Sequence, residues 1–299
     1  MNDIIIDLGA NMGGFSLEVA KRNPEITVHA VEPYPQLAIF LKEETEKEKI
    51  SNHIIHEIAI SEKNGKSNFN ISTESEFGTS SLLDFSTEHL NTDEYWSNRI
   101  DLIHSNKINV ETMTLSSFLD RLSFNRIRFI KIDIQGMDLI ALKTGGKYID
   151  RIDGGMLEVP SVKHLSLYSG TDDDLLSALL FLDKNNFYAY KIKPNDPASN
   201  EFNIFFCRKG KEYELMENEL NLRGLKYYDG KHYWHFPSNR QEFPEVYIIE
   251  LTNKLNDIRK ENDRLNIELS EVNEKLTRCQ TEFKNLKSNF LRRVINYFK

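Results

Sequence analysis

The feature that most constrains this chain is an alternation. Short, β-branched apolar runs at Ile4–Leu8, Thr27–Val31, Ile54–Ile58, Phe129–Ile132 and Gly155–Val159 are separated by longer stretches. Several of those stretches carry apolar residues at helical period: Phe15–Arg22, Leu37–Lys47, Leu115–Leu122 and Leu139–Thr144. Runs without internal polar alternation are strands buried on both faces, and helices between them supply the cover. The alternation therefore predicts an α/β fold: a mostly parallel, doubly wound sheet with helices on both faces. Two further runs, Phe187–Ile192 and Phe202–Cys207, flank a polar, Pro-containing loop and read as a terminal antiparallel pair.

The pattern stops near residue 210. Residues 211–243 carry Tyr227, Tyr228, Tyr233, Trp234, Phe236 and Phe243 among Gly230 and Pro237, the composition of a small cap or of a connector packed on the sheet. Beyond Pro244 there is no Gly or Pro. A heptad fits 244–290, with Ile248, Leu255, Asn262, Leu269, Leu276 and Phe283 at a, and Leu251, Ile258, Leu265, Val272, Cys279 and Leu286 at d. Sustained 3-4 spacing predicts a coiled coil, and a lone Asn at a favours a parallel dimer; the alternative is one long amphipathic helix. The tail 291–299, with Lys287 just before it, sets Arg292, Arg293 and Lys299 among Leu291, Val294, Ile295, Tyr297 and Phe298. It reads as an amphipathic segment for an anionic membrane surface, or as a basic helix end that complements the macrodipole.

Charge narrows the partners. Lys and Arg number 38 against 46 Asp and Glu, a net charge of −8, which argues against a general nucleic-acid binder. No apolar run reaches the length of a membrane span, and Asp7 interrupts the first apolar run, against a signal peptide. The two cysteines, Cys207 and Cys279, have no metal-type spacing, so the expectation is a cytoplasmic, reduced chain without a bound metal. His232 and His235 lack acidic or Cys companions and read as packed aromatic surface.

The chemistry concentrates where strands end. Ile4–Phe15 is strand, Gly-rich turn, helix, with Gly9 and Gly13 allowing close backbone approach. A dinucleotide fingerprint needs Gly where Asn11 stands, which disfavours a nicotinamide or flavin enzyme. Asp7 suits an amino group or a water more than a pyrophosphate. Glu32, ending the second run, can accept two ribose hydroxyls. Together these suit a cationic nucleoside without phosphates, S-adenosyl-L-methionine. Asp133 ends the run 129–132 at the crevice and is the first candidate to hold the acceptor or the methionine amino group; Glu158 is the second. The Ser-, Thr- and Asn-rich stretch 72–105 is too long for a passive loop and reads as a lid or substrate loop.

These pieces resemble the FkbM-type family of S-adenosyl-L-methionine-dependent O-methyltransferases. The resemblance rests on DLGANMGGFS at Asp7–Ser16, VEP at Val31–Pro33, HEIAIS at His56–Ser61, GTSSL at Gly78–Leu82, TLSSFL at Thr114–Leu119 and IKIDIQGMDLIALKTG at Ile130–Gly145. It covers residues 1–210 and departs at Gln135, where the commoner residue is Glu, which weakens this position as a general base. It implies a seven-stranded Rossmann-like methyltransferase sheet. It also implies a cofactor site of Asp7, Gly9, Ala10, Asn11, Gly13, Phe15, Ser16, Glu32, Pro33 and Ser61, with sugar or polyketide hydroxyls as the usual acceptors. Methyltransferase, coiled coil and basic tail together resemble enzymes of surface-glycan assembly at the cytoplasmic membrane face. The competing reading is a degenerate methyltransferase-fold scaffold that works through its coiled coil.

Overall fold

The computed structural model describes residues 2–72, 77–86, 104–171, 173–196, 201–225 and 228, and in the C-terminal segment residues 260–262, 264–270, 272, 273, 275, 276 and 278. Its contacts divide the chain into two units, 1–235 and 236–299.

The β-branched runs form the expected sheet. Strands β1 (Ile4–Leu8), β2 (Thr27–Val31), β3 (His53–His56), β7 (Ile127–Ile132), β8 (Gly154–Pro160), β9 (Phe187–Asp196) and β10 (Glu201–Arg208) lie in the order β3-β2-β1-β7-β8-β10-β9. All pairings are parallel up to β8; β10 then runs antiparallel between β8 and β9. Order reverses between β1 and β7, and such a switch point opens a crevice at the strand carboxyl ends. Every residue of β1 is buried, because helices cover both faces.

Side-chain alternation sorts those faces. Ile6, Ile130, Leu157, Ile204 and Phe206 pack against α3 (Leu115–Leu119), α4 (Asp138–Lys143) and α5 (Leu175–Lys184). Ile5, Val28, Phe129, Met156 and Phe205 pack against α1 (Ser16–Arg22), α2 (Pro35–Lys47) and α6 (Tyr213–Glu219). Local chemistry starts several helices: Pro35 opens α2, the Thr114 hydroxyl accepts from the Ser117 N–H, and Asp174 accepts from that of Ser177.

Three features differ from the sequence expectation. The run Ile54–Ile58 is not one strand: β3 ends at His56, and β4 (Ala59–Ile60) joins a separate sheet, β4-β6-β5. That sheet is completed by β5 (Gly65–Ser72) and β6 (His104–Met113), which pair antiparallel. The stretch 72–105 is thus anchored by strands at both ends, and residues 73–76 and 87–103 lie outside the described residues. Finally, the core does not end at residue 210. Tyr213, Met216, Leu220, Leu222, Leu225 and Tyr228 are buried in the α1–α2 face, so the described part of the connector completes that core. His232, His235 and the tail 291–299 also lie outside the described residues.

Candidate functional site

On the α1–α2 face of the sheet the side chains are apolar at Ile5, Phe129, Met156 and Phe205. The next same-face positions toward the crevice are Asp7, Lys131, Glu158 and Asn203, all buried. The core therefore gives way to a row of ionisable and amide groups just where the strands end. Buried charges need partners, and this row supplies them: Lys131 Nζ lies 3.3 Å from Asp7 Oδ1 and 3.0 Å from Asp133 Oδ2. Burial lowers the Lys131 ammonium, but the Asp133 and Asp7 carboxylates outweigh it and hold it above its ordinary value. Burial pushes Asp7 up to about 6, against the opposing pull of Lys131.

The turn after β1 is shaped for close approach. Gly9 has φ +81°, and a Cβ there would meet the Asp133 carbonyl oxygen at 1.9 Å. The Gly9 and Ala10 N–H groups both donate to the Val31 carbonyl at 3.0 Å, and the Asp133 N–H donates to the Leu8 carbonyl at 3.0 Å. The ends of β1, β2 and β7 are thereby fastened to one another. Asn11 also takes a left-handed conformation, φ 49°. Its N–H donates to Glu32 Oε2 at 2.8 Å while that of Tyr34 donates to Glu32 Oε1 at 2.9 Å. Burial raises the Glu32 carboxyl to about 7, against these two backbone donors.

A recess occupies this end of the sheet. Gly9, Asn11, Glu32, Pro33 and Tyr34 form one wall, and Asp133, Ile134 and Gln135 another. Leu37, Ile58, Ile60 and Phe69 give an apolar side, and Gly78, Ser80 and Leu82 close it from the segment after β5.

Of the residues the sequence pointed to, Gly9, Asn11, Glu32, Pro33 and Asp133 come together on this recess. The others stand elsewhere. Asp7 is set against Lys131 below the wall. Ala10 and Phe15 belong to the core, Phe15 with its ring centroid 5.9 Å from that of Phe129. Gly13 lets α1 and α2 approach, since a Cβ there would sit 2.6 Å from both Leu17 and Leu41. Ser16 is fully buried at the start of α1. The Ser61 N–H donates to the Met113 carbonyl at 2.8 Å, tying β4 to β6. Glu158 does not line the recess: Gln135 stands before it and donates from Nε2 at 3.2 Å, while Asn195 donates from behind. Burial, with Glu201, Asp133 and Asp138 nearby, holds the Glu158 carboxyl well above its usual range.

Sequence reasoning missed Lys131, Tyr34, Ser80, Leu82 and Tyr168, and gave Gln135 too little weight. Lys131 carried a signal, as a lone charge inside a buried run flanked by Asp133. Tyr168 carried none, since its place follows from a loop folding back on residue 135. Among the described residues no cluster of His, Cys, Asp and Glu could hold a metal ion, and no helix is long and apolar enough to cross a membrane.

Residues 7–187 match the family described as the methyltransferase FkbM domain. No curated protein sequence matches the chain. Among solved structures, methyltransferase FkbM from Methylobacillus flagellatus KT aligns at 13 % identity, over 69 % of this chain and 43 % of its own, with TM-score 0.42; this chain thus spans less than half of that protein. Magnesium protoporphyrin IX methyltransferase from Synechocystis PCC 6803, solved with bound SAH, aligns at 10 % identity over 68 % and 73 % of the two chains, TM-score 0.38. M. capricolum TrmK, in complex with S-adenosyl-homocysteine, aligns at 12 % identity over 87 % and 90 %, TM-score 0.38.

Proposed function

The chain belongs to the FkbM methyltransferase family, and from that premise we propose that it is an S-adenosyl-L-methionine-dependent O-methyltransferase acting on a hydroxyl of a sugar or surface glycan. The observation that carries this reading is the recess in which Glu32 and Asp133 face one space across an apolar wall. The residues fit such a cofactor. Glu32 is held by two backbone donors and suits vicinal ribose hydroxyls. Leu37, Ile58, Ile60 and Phe69 suit a flat apolar base. Among the described residues the carboxylates here outnumber the cation Lys131, which favours a ligand with net positive charge.

When bound, S-adenosyl-L-methionine supplies an electrophilic methyl group on a sulfonium. What this chain contributes is alignment, which supplies much of the rate in such displacements. In this reading Asp133 orients the acceptor hydroxyl and accepts its proton at a carboxylate oxygen. The base need not be strong, because the proton leaves as the new bond forms. Tyr34, Ser80 and Leu82 also line the recess.

Calorimetry with S-adenosyl-L-methionine tests the cofactor, and absence of binding at millimolar ligand overturns it. Asp133→Asn should then lower turnover more than cofactor affinity. Mass spectrometry of surface glycans from a deletion strain should show loss of one CH2 increment.

The parallel homodimer and the tail's contact with an anionic membrane belong to the same proposal. Its support is the heptad register, with residues 264–270 helical and Leu265, Leu269, Val272 and Leu276 of the a and d positions all at least half exposed in the single chain. Sedimentation of the full chain against residues 1–247 tests the dimer. Flotation on anionic liposomes with and without residues 288–299 tests the tail.

A further inference from the structure

Gln135 carries two costs at once. It is a non-glycine residue at φ 59°, and its polar side chain is 4 % exposed. Left-handed backbone is strained for most residues, and a buried amide needs partners. The surroundings supply them. Nε2 donates to Asp133 Oδ1 at 2.8 Å and to Glu158 Oε2 at 3.2 Å. Oε1 accepts from the Tyr168 hydroxyl at 2.7 Å, and the Gln135 backbone carbonyl accepts from Ser81 Oγ at 2.6 Å. The Tyr168 hydroxyl also lies 3.0 Å from the Thr79 carbonyl oxygen, so its single hydrogen is shared between two acceptors.

The loop around it is built to hold this pose. The Asp138 carboxylate accepts from the Ile134 and Gly136 N–H groups, each at 3.2 Å. Gly136 follows with φ +91°, and a Cβ there would lie 2.9 Å from the Tyr168 ring. Tyr168 therefore packs flat on the loop while its hydroxyl fixes the amide.

We propose that Gln135 is a positioning residue: its amide clamps Asp133 in the wall of the recess and separates it from Glu158, so that Asp133 alone, of the carboxylates ending β7 and β8, meets bound ligands. The inference rests on reading the recess as the methyl-transfer site. Lys131 holds one oxygen of Asp133 and Gln135 the other. An anion at position 135 would replace a hydrogen-bond donor by a like charge, and a shorter amide would leave Asp133 beside Glu158 without its spacer. Among the described residues, charged or titratable groups in this cluster include Lys131 on β7, Asp7 on β1, Asp138 on α4, Glu158 on β8, Glu201 on β10 and Tyr168 in the loop after β8. Lys131 is the cation among them.

The test is a pH titration of aspartate carboxyl carbons by 13C NMR in the full chain, with Asp133 assigned through Asp133→Asn. Gln135→Glu should raise the Asp133 midpoint by about one unit or more, the size of a close like charge. Gln135→Asn suits the left-handed backbone better than most residues but is one methylene too short to span both carboxyls; it should raise the midpoint too. Tyr168→Phe keeps the ring on Gly136 and frees the amide oxygen together with the Thr79 carbonyl, so it should give a smaller rise. An Asp133 midpoint unchanged in all three overturns the clamp. Calorimetry of the wild type with S-adenosyl-L-methionine judges the methyl-transfer reading separately: no binding there sinks that reading, while the titration still decides the role of Gln135.

Discussion

If the recess binds S-adenosyl-L-methionine as proposed, Glu32 should make its affinity depend on pH. The residue is 5 % exposed, and burial raises its carboxyl to about 7 even with the Tyr34 and Asn11 N–H groups pulling the other way. Ribose hydroxyls donate best to the ionised form, so binding below neutrality must first expel a proton. The ionised share is about nine-tenths at pH 8, half at pH 7 and one-tenth at pH 6. If that share is the competent one, the dissociation constant of S-adenosyl-L-methionine rises about tenfold from pH 8 to pH 6, or ~1.4 kcal/mol. Asp7, raised to about 6 by burial, adds in the same direction at the acid end, because its protonation removes a negative charge near a cationic ligand. Isothermal titration calorimetry across this range, in two buffers of different ionisation enthalpy, measures both the affinity and the protons released. Glu32→Gln should flatten the profile and weaken binding at the alkaline end by about 1.5–3 kcal/mol, the worth of a charged hydrogen bond. A wild-type profile already flat, with no proton release, would refute the assignment of Glu32 to the ribose.

Without ligand the same group acts on stability with the opposite sense. The folded state prefers the Glu32 proton, so this penalty is absent below 4.5 and complete above about 7; urea unfolding should show Glu32→Gln gaining on the wild type across that window by up to ~3 kcal/mol. Gly9→Ala places a Cβ against the Asp133 carbonyl; the β1–β7 junction must open, and thermal denaturation should show a loss larger than the ~1 kcal/mol typical of a point substitution, along with lost cofactor binding. Phe15→Ala leaves a void beside Phe129 in the core and should cost about 3–5 kcal/mol in chemical denaturation. If cofactor affinity of the folded Phe15→Ala protein fell while its stability held, Phe15 would be a ligand contact and not a core residue.

What could be read along the chain was whatever is written in local period and punctuation. Four buried runs, the Gly turn after the first, the carboxylates Glu32 and Asp133 at strand ends and the terminal antiparallel pair all follow from spacing. They place the recess where strand order reverses, because a parallel sheet with short crossovers has few ways to wind. What only the tertiary structure decided depends on which face a side chain takes and on what crosses from elsewhere. Asp7 and Glu158 look alike as acids ending apolar runs; sheet register turns one onto Lys131 and puts the other behind Gln135. Phe15 and Ser16 sit inside the ligand motif yet pack inward, since the first turn of α1 must cover Phe129. The break between His56 and Ala59, the second sheet, and the burial of Tyr213 and Tyr228 come from pairings across long stretches of chain. No local window encodes them, because a strand edge or an aromatic ring takes its partner only once the core has assembled around it.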